Sequence, residues 1–587
     1  MERYEWDLEK LYPSFDSPSF QSDLASIDGL TSPLEELLKK AKDGVNAEIA
    51  KGLLLGMEAL GDKLNNLGLY TMLRLSTDAE NEENTRMNLV LARKFAEISP
   101  LVTRVMKALA EFDEKKAEKA EKLFADYRFY LQKNKEAAAH FLSDDAEEMY
   151  AMMNVTGGDA WATMHGNLTS TLKVDYNGGT TNLSAIRNLA YSADASERKA
   201  AYEAELAAYP KIEQAAAFAM NNIKLQSSAI ARKRGFASAL EMTLDGQNMT
   251  KKTLDAMLSQ IKEYLPEFHR YLKAKSKLLG HEGGLPWYDL FAPVGNSKEK
   301  FSPEEAGNYL VETFSALSDD MASMMKAAFK DRWIDFYPRD GKRGGAFCAE
   351  AYSIGESRIL TNFDGTFSAV DTLAHELGHA FHNFVLQKHR SLNRDGLPMS
   401  LAETASTFNE TFLMNHALAG AGEEEQLALL DSFLIETTQI MCDIYSRYRF
   451  ETMVYENCEN GFLSAETLCG YMLKAQEEGY GDGLNADCKH PYMWVCKGHY
   501  YSADLAFYNF PYAFGGLLST GLYAMYEEDP KGFDAKYQKF LAETTINTIE
   551  GAAASVGIDV TSESFWKKGL EKYKTYIDRF CALAERK

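Results

Sequence analysis

The stretch Leu373–Asn383 reads LAHELGHAFHN and places His375, Glu376, His379 and His382 within eight residues. On an α-helix, His375 and His379 are separated by about 6 Å of rise and about 40° of rotation, so both imidazoles share one face. They can then converge on a single ion. Glu376 is turned about 100° from His375, which puts it beside such an ion rather than on it. A helix is expected here, because Ser368 and Asp371 form a candidate capping box and Val370, Leu373, Ala374 and Leu377 supply a buried side. The bland alternative is a helix that happens to carry surface histidines.

H-E-x-x-H is the spacing of zinc peptidases, in which the glutamate activates a water. The open question is the third ligand. His382 lies about 10.5 Å along the axis from His375, too far for one straight helix to bring all the rings to an ion with bonds near 2.0–2.1 Å. Chains that recruit a later histidine break the helix with glycine first. Here Phe381 and His382 follow, and Val385 stands where that histidine would. His382 is therefore read as a residue supporting or packed beside the site.

A carboxylate downstream fits better. In SLAETASTFNETFLMNH (400–416), Ser400 is a candidate N-cap, and Glu403 and Glu410 are seven apart on one helix face. Glu403 would complete a His₂Glu set and leave a position open for water. Glu410 would hold a histidine tautomer. S-L-A-E is itself a capping box, so a Glu403 that only bonds the Ser400 amide remains open, as do other acids.

Working outward, the 587 residues suit two cores, and 45% apolar residues with only 14 prolines favour a mostly helical chain. Amphipathic patterns run from about residue 23 to 126, including a charged run, 110–133, that predicts a long helix with a solvated face. LTSTLKVDY (168–176) alternates and ends at Asn177-Gly178, which predicts a small hairpin. Helical patterns resume near Ser196, and the strand-like region 332–363 ends just before the histidine cluster. The expectation is a mainly α protein with an N-terminal helical domain (1–195), a catalytic domain (196–587) and a small sheet beside the H-E-x-x-H helix.

The net charge of −23 argues against nucleic acid as partner. Seven scattered cysteines read as reduced thiols, MERYEWDLEK lacks an apolar signal core, and no run is long enough to span a bilayer. These point to the cytoplasm. The oligomeric state is not legible.

HELGHAFH followed by ETASTFNE resembles the thimet oligopeptidase and oligoendopeptidase F family of zinc peptidases. WDLEKLYPSFDSPSFQ, PWYDLFAP, GKRGGAFC and HYYSADLAFYNFPYAFG (499–515) extend the likeness from about residue 6 to beyond 515. The resemblance implies one zinc ion on His375, His379 and Glu403, with Glu376 as general base. It implies a helical two-part body around a deep channel that takes short peptides. It maps a site-lining histidine and tyrosines onto His499, Tyr508 and Tyr512. The edge strand at Gly344, Gly345 and Ala346 would hold the substrate backbone. A phenol or imidazole near the carbonyl oxygen is worth about 10²–10³ in rate, which gives His499 and Tyr508 a reason to be there. Glycines without side chains let a peptide pair as an added strand, although an ordinary turn fits the same residues.

The expected reaction is hydrolysis of internal bonds in short peptides. A helical zinc carboxypeptidase is the rival; it needs a cation for the terminal carboxylate, which the sequence does not place. A non-catalytic peptide-binding protein is the other, and Glu376 speaks against it, since a structural zinc site needs no base.

Overall fold

Apolar residues at helical spacing sort the chain into two main cores. The computed structural model describes residues 4–113, 122–295 and 300–587. Around Phe20, Leu53, Leu67 and Val105, the helices Pro18–Ala41, Ala47–Thr77 and Glu82–Ala110 build the first core, which ends at Leu131. The second begins at Leu172 and takes in side chains as far as Leu583. The architecture is mainly α, as expected, and small sheets are its only strands among the described residues.

The charged run 110–133 is not one helix. The helix Glu82–Ala110 stops at Glu111, residues 114–121 lie outside the described ones, and the chain breaks again at Tyr127 between Lys122–Asp126 and Arg128–Ala138. The break lets Tyr127 bury its ring, where its phenol accepts from Arg390 Nε at 2.7 Å. Arg390 also pairs with Glu58 at 2.6 Å, tying the first core to the loop that follows the histidine cluster.

The hairpin forms: β1 (Lys173–Tyr176) pairs antiparallel with β2 (Gly179–Asn182). Asn177 and Gly178 turn it with φ of 51° and 76°, the paired positive angles of a primed turn. The preceding LTST is helical instead, the end of Gly158–Thr171. A second sheet has the order β3-β5-β4, from β3 (Ile334–Asp335), β4 (Phe347–Ala351) and β5 (Glu356–Leu360). β5 runs parallel to β3 and antiparallel to β4, so β4 is an edge. Asn383, on the histidine helix, reaches Ser357 Oγ in β5 at 3.2 Å and fixes the sheet against that helix.

The histidine helix spans Phe367–Leu386, and its cap is Thr366 rather than Ser368. Thr366 Oγ1 accepts from Ala369 N at 3.2 Å and is itself held by Asp364. Asp371 is thereby free to face His375 and the acidic residues near it. Val370, Leu373, Ala374 and Leu377 are fully buried, as the spacing predicts. This helix meets the helix Thr404–Gly420 backbone to backbone at Gly378. A Cβ there would stand 2.5 Å from Ala405 O and 2.7 Å from Ser406 Cα.

Candidate metal centre

The joint between two helices sets the third candidate ligand. A short turn of helix, Met399–Ala402, ends at Glu403 with φ −88° and ψ 1°, and the long helix starts at Thr404. Ser400 does not cap through Glu403. Its amide and hydroxyl both donate to Gln247 Oε1, at 3.0 and 3.1 Å, so the capping-box alternative for Glu403 is absent. Glu403 Oε2 instead faces His375 Nε2 at 3.3 Å and His379 Nε2 at 3.4 Å. The ligand atoms of the three residues lie within 4.8 Å of one another. Two ligands at a tetrahedral angle, each about 2.05 Å from zinc, stand about 3.3 Å apart, so these spacings fit such an ion.

Glu410 accepts from or shares a proton with His375 Nδ1 at 2.6 Å, which leaves Nε2 directed at Glu403. Burial alone would raise the Glu403 carboxyl, but the hydrogen bonds from both histidines outweigh it and hold the group well below the usual range. Burial likewise opposes protonation of His375, while Glu403 and Glu410 push its pKa well above the ordinary value. A cation is what this arrangement of carboxylates and imidazoles favours; an ion would displace that proton.

Glu376 is 5% exposed, and its Oε2 has no hydrogen-bond partner. Burial raises its pKa, against the pull of His375 and His379. A buried carboxylate oxygen left unpaired beside the candidate ligands is poised to accept a proton from a group that enters the site.

His382 lies deeper along the same helix. Its Nε2 bonds Thr544 Oγ1 at 2.9 Å, and it contacts no candidate ligand through a hydrogen bond. Burial lowers its pKa to about 4, so it is a neutral packing residue.

His499, Tyr508 and Tyr512 come together as one cluster. The His499 and Tyr508 rings are 4.6 Å apart and nearly parallel, and the Tyr512 hydroxyl donates to that of Tyr508 at 3.4 Å. Glu403 lies within electrostatic reach of Tyr512, whose pKa is raised by burial and then by the Tyr508 bond. Just before Tyr508, Phe507 adopts φ 54°, a strained value for a non-glycine residue. Its amide donates to Glu451 Oε1 at 2.9 Å, and Glu451 is paired with buried Lys224 at 2.7 Å. That buried pair sets the direction of the tyrosine loop, and nothing local in the sequence pointed to it.

Gly344, Gly345 and Ala346 lead into edge strand β4. A Cβ on either glycine would meet nothing within 4 Å, and Asn362 Nδ2 holds the turn by donating to Gly345 O at 2.8 Å. A cavity of about 360 Å³ lies there, between Gly345, Ala346 and the start of the histidine helix at Ser368, Ala369 and Thr372. Sequence reading missed Glu436, which stands near Glu410 and His375; withdrawal of its carboxyl from water, then the Glu410 charge, pushes its pKa up to about 7.

Paired histidines, a facing glutamate and a buried carboxylate gathered on two crossing helices are a donor set that a metallopeptidase site can use. The chain matches the model of peptidase family M3 over residues 188–571 and that of oligopeptidase F over 109–173. It belongs to peptidase family M3 and is a metalloendopeptidase. It is 23% identical to the oligopeptidase PepF of Bacillus subtilis over 585 residues, covering 98% of this chain and 86% of that one. An oligoendopeptidase F homolog of Borreliella burgdorferi is 24% identical, with 98% of each chain covered. The fold is similar to the crystal structure of oligoendopeptidase-F from Enterococcus faecium, with a TM-score of 0.71, 19% identity, and 97% and 99% of the two chains covered.

Proposed function

We propose that this chain is a zinc-dependent endopeptidase that cleaves internal bonds of short oligopeptides, with Glu376 as the general base. The observation that carries the reading is the conjunction at one place of His375, His379 and Glu403 at ligand spacing with an unpartnered, buried Glu376 carboxylate. His375, His379 and Glu403 would hold one zinc ion. When bound, such an ion lowers the pKa of water and polarises the scissile carbonyl.

The chain's own residues supply the rest. Glu376 takes the proton of the attacking water and later delivers it to the leaving amine. Glu410 fixes the His375 ring through Nδ1. Tyr508 and His499 donate toward the carbonyl oxygen as negative charge builds on it. The free edge of β4, entered by Gly344, Gly345 and Ala346, pairs with the substrate backbone, and Tyr512 orients Tyr508. A channel between the two parts of the body, with its division near residue 195, would admit short peptides and exclude folded proteins; the two separate cores support a two-part body. The negative charge argues against nucleic acid, and no helix among the described residues is long and apolar enough to cross a membrane. A cytoplasmic location is part of the same proposal.

The test is cleavage of quenched fluorescent peptides of graded length, blocked at both ends, with and without chelator. Internal cleavage of short peptides only, lost with chelator and restored by zinc, is the expected result. Trimming of peptides with free C-termini alone would instead make the chain a carboxypeptidase.

A further inference from the structure

A second cavity, of about 200 Å³, is walled by Tyr191, Tyr202, Tyr288 and Phe291 and lined by Arg187, Arg198 and Lys497. The rings interlock: Tyr191 and Phe291 are 4.9 Å apart, Tyr202 and Tyr288 5.7 Å. Cavities of about 150 Å³ hold a benzene, so this one has the room of a single residue and not of a length of chain.

Its cations differ in one respect. Arg198 donates to Asp289 at 2.7 Å and to Ser192 O at 2.7 Å. Arg187 is paired with Glu205, which also takes Tyr209 and His490. Lys497 has no hydrogen-bond or ion-pair partner among the described residues. Asp443, whose charge reaches it, is already bonded to Arg447. An ammonium partly withdrawn from water without a counter-charge is unfavourable in the empty cavity and becomes favourable when an anion arrives. Burial, then Arg447, lowers the Lys497 pKa, which agrees with an unmet need for an anion.

Two links tie the cavity to the proposed catalytic site. Lys497 precedes His499 by two residues, a reach of at most about 7 Å. Tyr191, in the cavity wall, lies within electrostatic reach of both Arg187 and Glu436, and Glu436 of Glu410 and His375.

We propose that Lys497 is a specificity-determining residue that binds a substrate carboxylate in this aromatic cavity. The inference rests on the peptidase reading, because the anions a peptide carries are its C-terminal carboxylate and the side chains of Asp and Glu. Lys497 offers a compact charge on a flexible stem, suited to either source. Glu436, whose charge reaches Tyr191 at the cavity wall, would disfavour an anion placed toward it.

The experiment uses N-blocked fluorogenic peptides of one sequence in three forms: C-terminal acid, C-terminal amide, and amide with an internal Gln→Glu exchange scanned along the chain. KM and kcat are measured separately for the wild type, Lys497→Met and Lys497→Arg. The wild type should show a KM about tenfold to a hundredfold lower for a carboxylate-bearing form than for the plain amide, the range of hydrogen bonds to charged groups. Lys497→Met should abolish that preference and Lys497→Arg should retain most of it. A preference for the acid form assigns the C-terminus as the source; one confined to a Glu-bearing amide assigns a side chain. A wild type indifferent to every carboxylate, or a preference that survives Lys497→Met, overturns the proposal. The same peptides titrated by fluorescence anisotropy onto Glu376→Gln and Glu376→Gln/Lys497→Met give the preference without turnover. Failure of the wild type to cleave any form would thus sink the peptidase reading and leave this binding result to decide on Lys497.

Discussion

Gly378 tests the packing on which the proposed metal site depends. Its α-carbon is the point where the histidine helix meets the glutamate helix, and a Cβ would stand 2.5 Å from Ala405 O and 2.7 Å from Ser406 Cα. Carbon atoms make favourable contacts near 3.5 Å, so Gly378→Ala forces the helices apart by about 1 Å. Backbone atoms cannot swing aside as a side chain would. Overpacking of this kind costs about 1–3 kcal/mol. The displaced helix also carries Glu403 at its start and Glu410 farther along, whereas metal–ligand distances tolerate only about 0.2 Å. Zinc affinity should therefore fall by at least about tenfold, comparable to the loss of a residue that orients a ligand. The assay is chelator-competition titration of zinc, with thermal unfolding of the metal-free protein alongside. A Gly378→Ala protein with wild-type zinc affinity and unchanged Tm would refute the helix-contact reasoning.

Three further outcomes are expected. Glu410→Gln keeps the shape but removes the charge on His375 Nδ1, and zinc affinity should drop about 10- to 100-fold by the same titration. Tyr508→Phe should lower kcat by about 10²–10³ with little change in KM, because the phenol is proposed to act on charge that develops only at the transition state; a raised KM with kcat unchanged would argue for ground-state binding instead. His382 gives a pH effect on stability. Its folded pKa is lowered to about 4 by burial, below the 6.5 of a free histidine, so the unfolded chain binds more protons between those values. Stability is then intact above about pH 6.5 and declines as pH falls toward 4, by at most about 3 kcal/mol from this group. Denaturant unfolding of His382→Gln across that window should show a flatter pH dependence than the wild type.

The helix of the histidine cluster was legible because its register is local: the same residues that bury Val370 and Leu377 turn His375 and His379 to one side. The mainly α class and the Asn177-Gly178 hairpin were legible for the same reason. Caps were less so. Ser368–Asp371 and Ser400–Glu403 both satisfy the capping-box pattern, but Asp364 fixes Thr366 as the first cap, and Gln247, 153 residues away, takes Ser400. The continuity of the 110–133 run failed at Tyr127, where burying one ring against Arg390 outweighed helix propensity. Glu436, Lys497 and the Lys224–Glu451 pair behind Phe507 carry no local signature at all; they acquire meaning only once distant segments are placed side by side.

The most direct measurement is a paired one on Glu376→Gln: zinc bound per chain and turnover of a blocked short peptide. One zinc per chain with turnover lost is the expected result, since the proposed ligands are untouched and the proposed base is gone. Full peptidase activity in that protein would contradict the role assigned to Glu376, and loss of zinc together with activity would make Glu376 part of the metal site instead.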